Sequence, residues 1–381
     1  MDKGKIKIIM PEQQNKEVFE ICRKLWRNNF DDSEEYISFY FSDRWKQSIT
    51  FLYDKKSMLH LNPYEMYLFG RLQTIYYIVG VCTRKEDRHR GYMNGLLKKS
   101  LKYLYDRNAP FVYLMPSNEN IYLPYDFTGI YKTESFVCEQ KLKERQAECD
   151  DIEVVKYDSL TEKQKQKLIE YSNKKLLAEC DCFVQREKKY FEQKNIEMKA
   201  CGSSILVFIN RGNIVGYAMH ICEDIPELVE FTVDEKYREK CIEKMFEYSY
   251  CNNRTGNDIK EYKEEAKIKM RFNESKFTEK EYIGNIWDNE TKNLLMARIV
   301  DIKKFVALLK TDVEEQFHIE IEDTIIKENN GKWDIYLGQK SKIKSVDYVS
   351  ADNKNVYLKM SIGDFADMMF SKIKFYLNEM V

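Results

Sequence analysis

The 381-residue chain lacks a surplus of charge of either sign: 62 Lys and Arg stand against 63 Asp and Glu, a formal net charge of −1. That balance excludes a dedicated nucleic-acid binder and makes any basic patch local. No run reaches the roughly 18 apolar residues a membrane span needs. The N-terminal MDKGKIKIIMPEQQNK has no apolar leader, so a cytoplasmic protein without a membrane partner is expected. No CxxC pair occurs among the ten cysteines. Cys180 and Cys182 form only a CxC, far in sequence from His60, His89, His220 and His318. No zinc or other metal site is expected from that spacing. Ten scattered cysteines in so long a chain do not make a secreted disulfide framework. GxxxxGK[ST] and GxGxxG are both missing, which excludes a Walker loop and a Rossmann fingerprint. There is no low-complexity segment and no long Pro/Gly/Ser linker.

What is present is enough apolar sequence, 43%, for sizeable cores, in a length that suits two or three domains. Aromatics make up 14%, with 27 tyrosines. They either line a pocket for a cationic ligand or pack as half-buried core; Trp26 and Trp45 pose the same choice. The first 145 residues alternate helices and strands around a mixed sheet. IKIIM is a strand; a helix opens at Pro11 and carries Val18, Phe19, Cys22 and Leu25. Phe30–Trp45 reads as a second helix capped by Asp31, Asp32 or Ser33. Strands follow at Ser48–Asp54 and Met58–Gly70, with a turn near Asn62-Pro63. Ile75–Thr83 is a buried strand, Tyr92–Tyr105 an amphipathic helix and Phe111–Pro116 another buried strand. Leu142–Asp151 reads as a linker. Beyond it come a helix from about Thr161, a hairpin turning at Arg211-Gly212-Asn213, and a strand–helix unit over Leu228–Tyr250. A last unit begins at MARIV, continues through alternating strands and ends in a helix. The division expected is 1–145, 146–290 and 291–381.

Between the strand Ile75–Thr83 and the helix at Tyr92 stands RKEDRHRG. A strand, a basic glycine-containing turn and a helix make a site for a phosphorylated ligand. The helix start offers unpaired N–H groups and the positive end of its dipole, and successive turn N–H groups form an anion nest. Gly91 lets the backbone approach closely; Arg88 and Arg90 add charge-assisted hydrogen bonds. The middle unit repeats the strand–strand–helix order, but its turn, Val233-Asp234-Glu235-Lys236, has no Arg-x-Arg-Gly.

Arg88-His89-Arg90-Gly91-Tyr92-Met93, preceded by Ile78–Thr83, resembles the acyl-CoA motif of the GNAT N-acetyltransferase superfamily, Arg/Gln-x-x-Gly-x-Gly/Ala. Met93 departs from the small final residue. LMPSNENIYLPYDF, one helix later, supplies Ser117 and Tyr122. With the basic turn lost from the middle unit and the MARIV-initiated C-terminal unit, the chain looks like the Eis (enhanced intracellular survival) family. That resemblance implies an α/β (α+β) fold: two GNAT-like mixed-sheet domains in tandem, the second degenerate, then a sterol carrier protein-like domain. It implies acetyl-CoA as co-substrate and a homo-oligomer, often a hexamer.

Carried over by position, Val81, Cys82 and Thr83 would meet the pantetheine arm through their backbone. Arg88, His89, Arg90, Gly91, Tyr92 and Met93 would hold the pyrophosphate, and Ser117 would touch the cofactor near its reactive end. Tyr122 matches the general acid, and the C-terminal carboxylate of Val381 is either base or substrate anchor. Pro124 stands where the family often has Arg. Asp31, Asp32 and Glu35 serve as helix caps or border an acidic amine pocket. Tyr122 and Ser117 otherwise read as one more packed tyrosine and a turn cap. The function expected is N-acetylation of a primary amine on a small polycation, aminoglycoside- or polyamine-like, or of a lysine side chain. The alternative is a non-catalytic protein that binds acyl-CoA or lipid on the same scaffold.

Overall fold

The computed structural model describes residues 5–141, 152–221, 225–252, 265–273, 285–346 and 356–379. The expected linker at Leu142–Asp151 falls outside them, as does Val381. The elements run β1 Ile6–Ile9, α1 Lys16–Arg27, α2 Glu34–Ser42, β2 Ile49–Tyr53, β3 Ser57–Leu68, β4 Arg71–Thr83, α3 Tyr92–Tyr105, β5 Phe111–Leu114 and β6 Thr128–Lys141. Next come β7 Ile152–Lys156, α4 Glu162–Glu179, β8 Cys182–Val184, α5 Lys188–Ala200, β9 Ile205–Asn210, β10 Asn213–Ile221, β11 Glu227–Val233, α6 Arg238–Asn252 and β12 Glu265–Asn273. The last part holds β13 Asn285–Ile299, α7 Ile302–Leu308, β14 Glu315–Glu322, β15 Gly331–Leu337, β16 Lys342–Val346, β17 Leu358–Ser361, α8 Ile362–Phe370 and β18 Phe375–Tyr376. Packing gathers them into two compact units. One is built from residues up to Tyr131, from Glu179–Val184 and from Leu294 onward; the other holds the remainder.

In the first unit β1, β2, β3 and β4 pair antiparallel in that order. β4 and β5 run parallel, joined by α3 as the crossover that parallel strands require. The Met296–Ile299 end of β13 pairs antiparallel with β5. Leu96, Leu97, Leu101 and Leu104 of α3 cover the sheet face bearing Phe51, Leu61, Ile78 and Val112. Each is nearly or fully buried, and that burial holds α3 in place. Beyond Leu61, β3 loses β2 as a neighbour, and it gains β8 only at Met66. Pro63 lies in that gap, so β3 continues straight through Asn62-Pro63 where a turn was expected. A residue without an N–H is tolerated where a strand is paired on one side only. β14–β17 form a separate sheet in the order β16-β15-β14-β17.

Capping sets both helix starts: the first differs from expectation, and the second takes Ser33 from the three caps expected. Pro11 opens only a single 3-10 turn, and α1 restarts behind Asn15, whose Oδ1 accepts the Val18 N–H at 3.0 Å. α2 begins behind Ser33, whose Oγ accepts from Tyr36 N at 3.1 Å. Asp31 and Asp32 therefore precede the cap.

The second unit carries a sheet in the order β7-β9-β10-β11-β12-β6, with β11 and β12 its parallel pair. The β9–β10 hairpin turns on two residues, Arg211 at φ 47° and Gly212 at φ 78°, the left-handed pair such turns demand. At the turn before α6, Asp234 accepts a hydrogen bond from Tyr171 Oη at 3.1 Å. Acid thus stands in this unit where the first unit carries its basic turn.

Candidate active site

Pairing of β4 with β5 stops at Ile78 and Leu114. Past that point the two strands have no mutual partners, and a cavity of about 250 Å³ is lined by both. β4 contributes Tyr77 to Val81, and the segment after β5 contributes Met115, Pro116, Ser117 and Tyr122. Trp26, Phe30, Asp32 and Tyr36 from the α1–α2 region complete the wall. Of the three acids expected near the substrate, only Asp32 lines it, accepting from Trp26 Nε1 at 2.7 Å. Asp31 and Glu35 are exposed and lie outside the lining.

The β3–β4 register slips between Met58 and His60, where β4 carries an extra residue. Gly80 sits in this bulge at φ 64°, a geometry glycine adopts most cheaply. Behind it lies a buried polar cluster. Tyr40 Oη shares a 2.8 Å hydrogen bond with His60 Nδ1, and Tyr40 packs on Trp26 with ring centroids 4.3 Å apart. Burial lowers the His60 pKa to about 3, so the ring is neutral. His220, in the second unit, is lowered to about 4, chiefly by burial. Both groups bind a proton in the unfolded chain near pH 6.5 that the folded chain refuses. Stability from them is whole above that pH and is lost as pH falls toward 4. The urea midpoint is expected to drop between pH 7 and 4; a flat midpoint there would contradict both assignments.

The basic turn is braced from within. Asp87, almost fully buried, accepts from Arg84 Nε at 2.8 Å and from Arg90 Nη1 at 3.3 Å. Arg88 donates to Asn29 Oδ1 at 3.0 Å and to the Thr83 carbonyl at 3.4 Å. His89 and Gly91 both take positive φ, 62° and 80°. No side chain caps α3 at Gly91, and a Cβ there would meet nothing within 4 Å. An uncapped helix start facing open space, with Arg88, His89 and Arg90 beside it, fits a pyrophosphate. Tyr92 and Met93 form the first turn of that helix. Asp87→Ala would free Arg90 and leave Arg84 only its 3.5 Å pair with Glu86, side chains then to be ordered on binding at about 0.5–1.5 kcal/mol each. The apparent KM for acetyl-CoA is expected to rise about tenfold with kcat little changed; an unchanged KM would rule Asp87 out.

Cys82 turns away from the cavity: its Sγ lies 3.8 Å from the Leu25 carbonyl, and burial pushes its thiol pKa up. Its carbonyl accepts from Ser57 Oγ at 2.7 Å, and Cys82 is not among the residues that line the cavity. The Thr83 hydroxyl shares a 2.8 Å hydrogen bond with Ser57 Oγ. Ser117 is exposed at the cavity wall. Tyr122 lines the cavity while being 6% exposed, and burial raises its pKa to about 12. The chain's last described residues reach this unit: β18 pairs with β8. Leu377 and Glu379 are fully buried. The Tyr113 hydroxyl pKa is pushed up first by its burial and then by Glu379, and its ring packs 4.9 Å from Tyr77.

Residues 11–130 match the acetyltransferase (GNAT) domain model. The chain carries a GNAT acetyltransferase domain. Residues 302–376 match the sterol carrier protein domain model. No curated protein matches the chain in sequence. Among solved structures, a probable N-acyltransferase from Enterococcus faecalis aligns at 16% identity and TM-score 0.72, covering 96% of this chain and 89% of its own. A GCN5-related N-acetyltransferase from Anabaena variabilis aligns at 14% and 0.67, covering 96% and 90%. Eis1 from Mycobacterium abscessus aligns at 11% and 0.62, covering 95% and 88%. At these identities the likeness is one of fold, and it spans nearly all of this chain. The mixed α/β architecture with a sterol carrier protein-like C-terminal part, expected from the sequence, is the one observed. GNAT acetyltransferases are acyltransferases that use acetyl-CoA as co-substrate. Among the described residues no helix is long and apolar enough to cross a membrane, and no group of His, Cys, Asp and Glu is placed to hold a metal ion.

Of the site residues singled out in the sequence, Val81, Ser117, Tyr122 and Asp32 line the cavity, and the basic turn does not. Sequence reasoning did not find Asp87, Tyr36, Tyr77 or the Gly80–His60–Tyr40 cluster. Gly80 carried a signal, a glycine inside an otherwise apolar strand, which marks a bulge or a close approach.

Proposed function

We propose that the chain transfers the acetyl group of acetyl-CoA to a primary amine held between the aromatic walls and Asp32. The acceptor is the ammonium-bearing end of a small polycation or a lysine side chain. The observation that carries this reading is the single cavity wall shared by Ser117, Tyr122, Asp32 and the bulged β4. Acetyl-CoA supplies an activated thioester carbonyl. The amine must lose a proton to attack; an N–C bond then forms, the C–S bond breaks, and the leaving sulfur needs a proton.

In this reading Tyr122 donates that proton. Its pKa of about 12 keeps it protonated through the neutral range. The same shift makes it a weaker donor than an unburied phenol to a thiol of pKa about 8.5. Donation is offset when the proton shed by the amine returns to the phenol in the same step. Trp26, Tyr36 and Tyr77 offer ring faces, and Asp32 a carboxylate, for the ammonium before it is deprotonated. The carboxylate of Val381 keeps its proposed role as base or anchor. The division at residues 145 and 290 and a homo-oligomer are likewise proposed, to be read by limited proteolysis and light scattering.

The test is thiol release from acetyl-CoA against polyamines, aminoglycosides and a lysine peptide, in the full chain and in one lacking Met380-Val381. Turnover with one of these classes supports the reading, and its collapse on truncation supports Val381. Acetyl-CoA binding without turnover of any amine sinks it in favour of a binding protein.

A further inference from the structure

We propose that Arg298 is a positioning residue that holds the Tyr122 segment in register from the C-terminal part of the chain. Arg298 is the penultimate residue of β13 and is fully buried. Each arm of its guanidinium is committed. Nε donates to the Tyr125 carbonyl at 2.7 Å, Nη1 to the Ile299 carbonyl at 2.8 Å and Nη2 to Asp323 Oδ1 at 2.8 Å. Asp126 Oδ2 stands 3.7 Å away.

Tyr122 is one hydrogen bond from this fork. The segment is two consecutive 3-10 turns, Glu119–Ile121 and Leu123–Tyr125, that meet at Tyr122. Tyr125 N donates to the Tyr122 carbonyl at 2.9 Å, and the Tyr125 carbonyl is the one Arg298 holds. Asp126 then turns the chain through φ 60°. α8 closes the other side. A Cβ on Gly363 would come within 3.2 Å of Asp126 Oδ1 and 3.4 Å of its Cα. Thr128 Oγ1 donates to Asp367 at 2.7 Å.

The partner of Arg298 is itself fully spoken for. Asp323 accepts from the Ile325 and Ile326 N–H groups at 2.8 Å each and from Asn329 Nδ2 at 2.9 Å. A buried ion pair is weak as a source of stability, because an apolar pair of similar volume often serves as well. What the planar fork supplies here is direction: three donors fixed relative to one another, one of them aimed at the segment that carries Tyr122. A lysine at 298 has a single ammonium and cannot reach three acceptors spread around a guanidinium. A general acid misplaced by a fraction of an ångström loses much of its contribution.

The proposal rests on Tyr122 as proton donor. Its test uses the full chain with Arg298→Lys and, as a separate perturbation of the same segment through Asp126, Gly363→Ala. Arg298→Lys is expected to lower kcat about tenfold with the KM for acetyl-CoA held within about twofold. In a Tyr122→Phe background the further loss should vanish, because the group being positioned is gone. A loss that persists unchanged in that background overturns the proposal. Should Arg298→Lys fail to fold, Gly363→Ala is read in the same cycle. Amide hydrogen exchange gives a readout independent of chemistry. Either variant should raise exchange over residues 119–126 while β4 and α3 keep their protection; unaltered exchange there overturns the clamp. A wild-type chain that turns over no amine defeats the functional reading, and the exchange result still decides whether Arg298 holds the segment.

Discussion

Tyr122→Phe is expected to lower kcat by about a hundredfold while leaving acetyl-CoA affinity within about twofold. The phenol ring is buried against Phe127, with centroids 5.9 Å apart, and phenylalanine keeps that packing. Only the hydroxyl is lost. Its burial-raised pKa, about 12, places the expected loss at the lower end of what acid–base catalysis contributes, since a phenol so weakly acidic transfers its proton with little driving force. The same value means no Tyr122 ionisation interrupts the rate between pH 6 and 10, and the pH–rate profile should show no alkaline limb from it there. Stopped-flow thiol release with parallel calorimetric binding checks both. A variant with full kcat would remove Tyr122 from the chemistry and leave it a wall of the cavity.

Gly80→Ala is expected to be the most damaging single methyl group in the first unit. Its φ of 64° costs a non-glycine residue about 1–2 kcal/mol. The new Cβ would also lie 2.9 Å from Trp26 Cζ3 and 3.3 Å from His60 Nδ1. Neither neighbour can yield freely: Trp26 stacks on Tyr40 and is hydrogen-bonded to Asp32, and His60 is tied to Tyr40. Overpacking adds about 1–3 kcal/mol, and any shift of Trp26 moves the cavity wall. Gly212→Ala is the control. It has a similar φ, 78°, but open space around the new methyl, so it carries the backbone cost alone. Gly80→Ala should therefore lower the denaturation midpoint more than Gly212→Ala and weaken acceptor binding as well. Equal midpoints would show that the Trp26 contact yields without cost.

Much of the architecture was legible because it is encoded locally. α3 announces itself by Leu96, Leu97, Leu101 and Leu104, and the basic turn by its cations next to a glycine. The Arg211-Gly212 hairpin follows from the two residues that must turn left-handed. α5 was not legible, and its buried face shows why. Lys194 and Glu197 are about as buried as Met198 and pair with each other at 2.8 Å. A periodicity search that counts charges as solvent-facing loses a third of that face. Pro63 misled for a related reason: whether a strand position has one neighbour or two is decided by the sheet, not by the residue.

By itself the sequence determined α3, the Arg211-Gly212 hairpin, the basic turn and the GNAT resemblance that singled out Tyr122, because each depends on spacing within a few residues. Only the tertiary structure decided what surrounds them. It chose Asp32 over Asp31 and Glu35, since Ser33 took the cap and Trp26 took Asp32. It turned the Cys82 thiol away and gave Asp87 the task of bracing two arginines. It also brought Arg298, 176 positions after Tyr122 in the chain, within one hydrogen bond of the Tyr122 segment. Burial, shared hydrogen-bond partners and close approach arise between residues distant in sequence, and no local pattern encodes them.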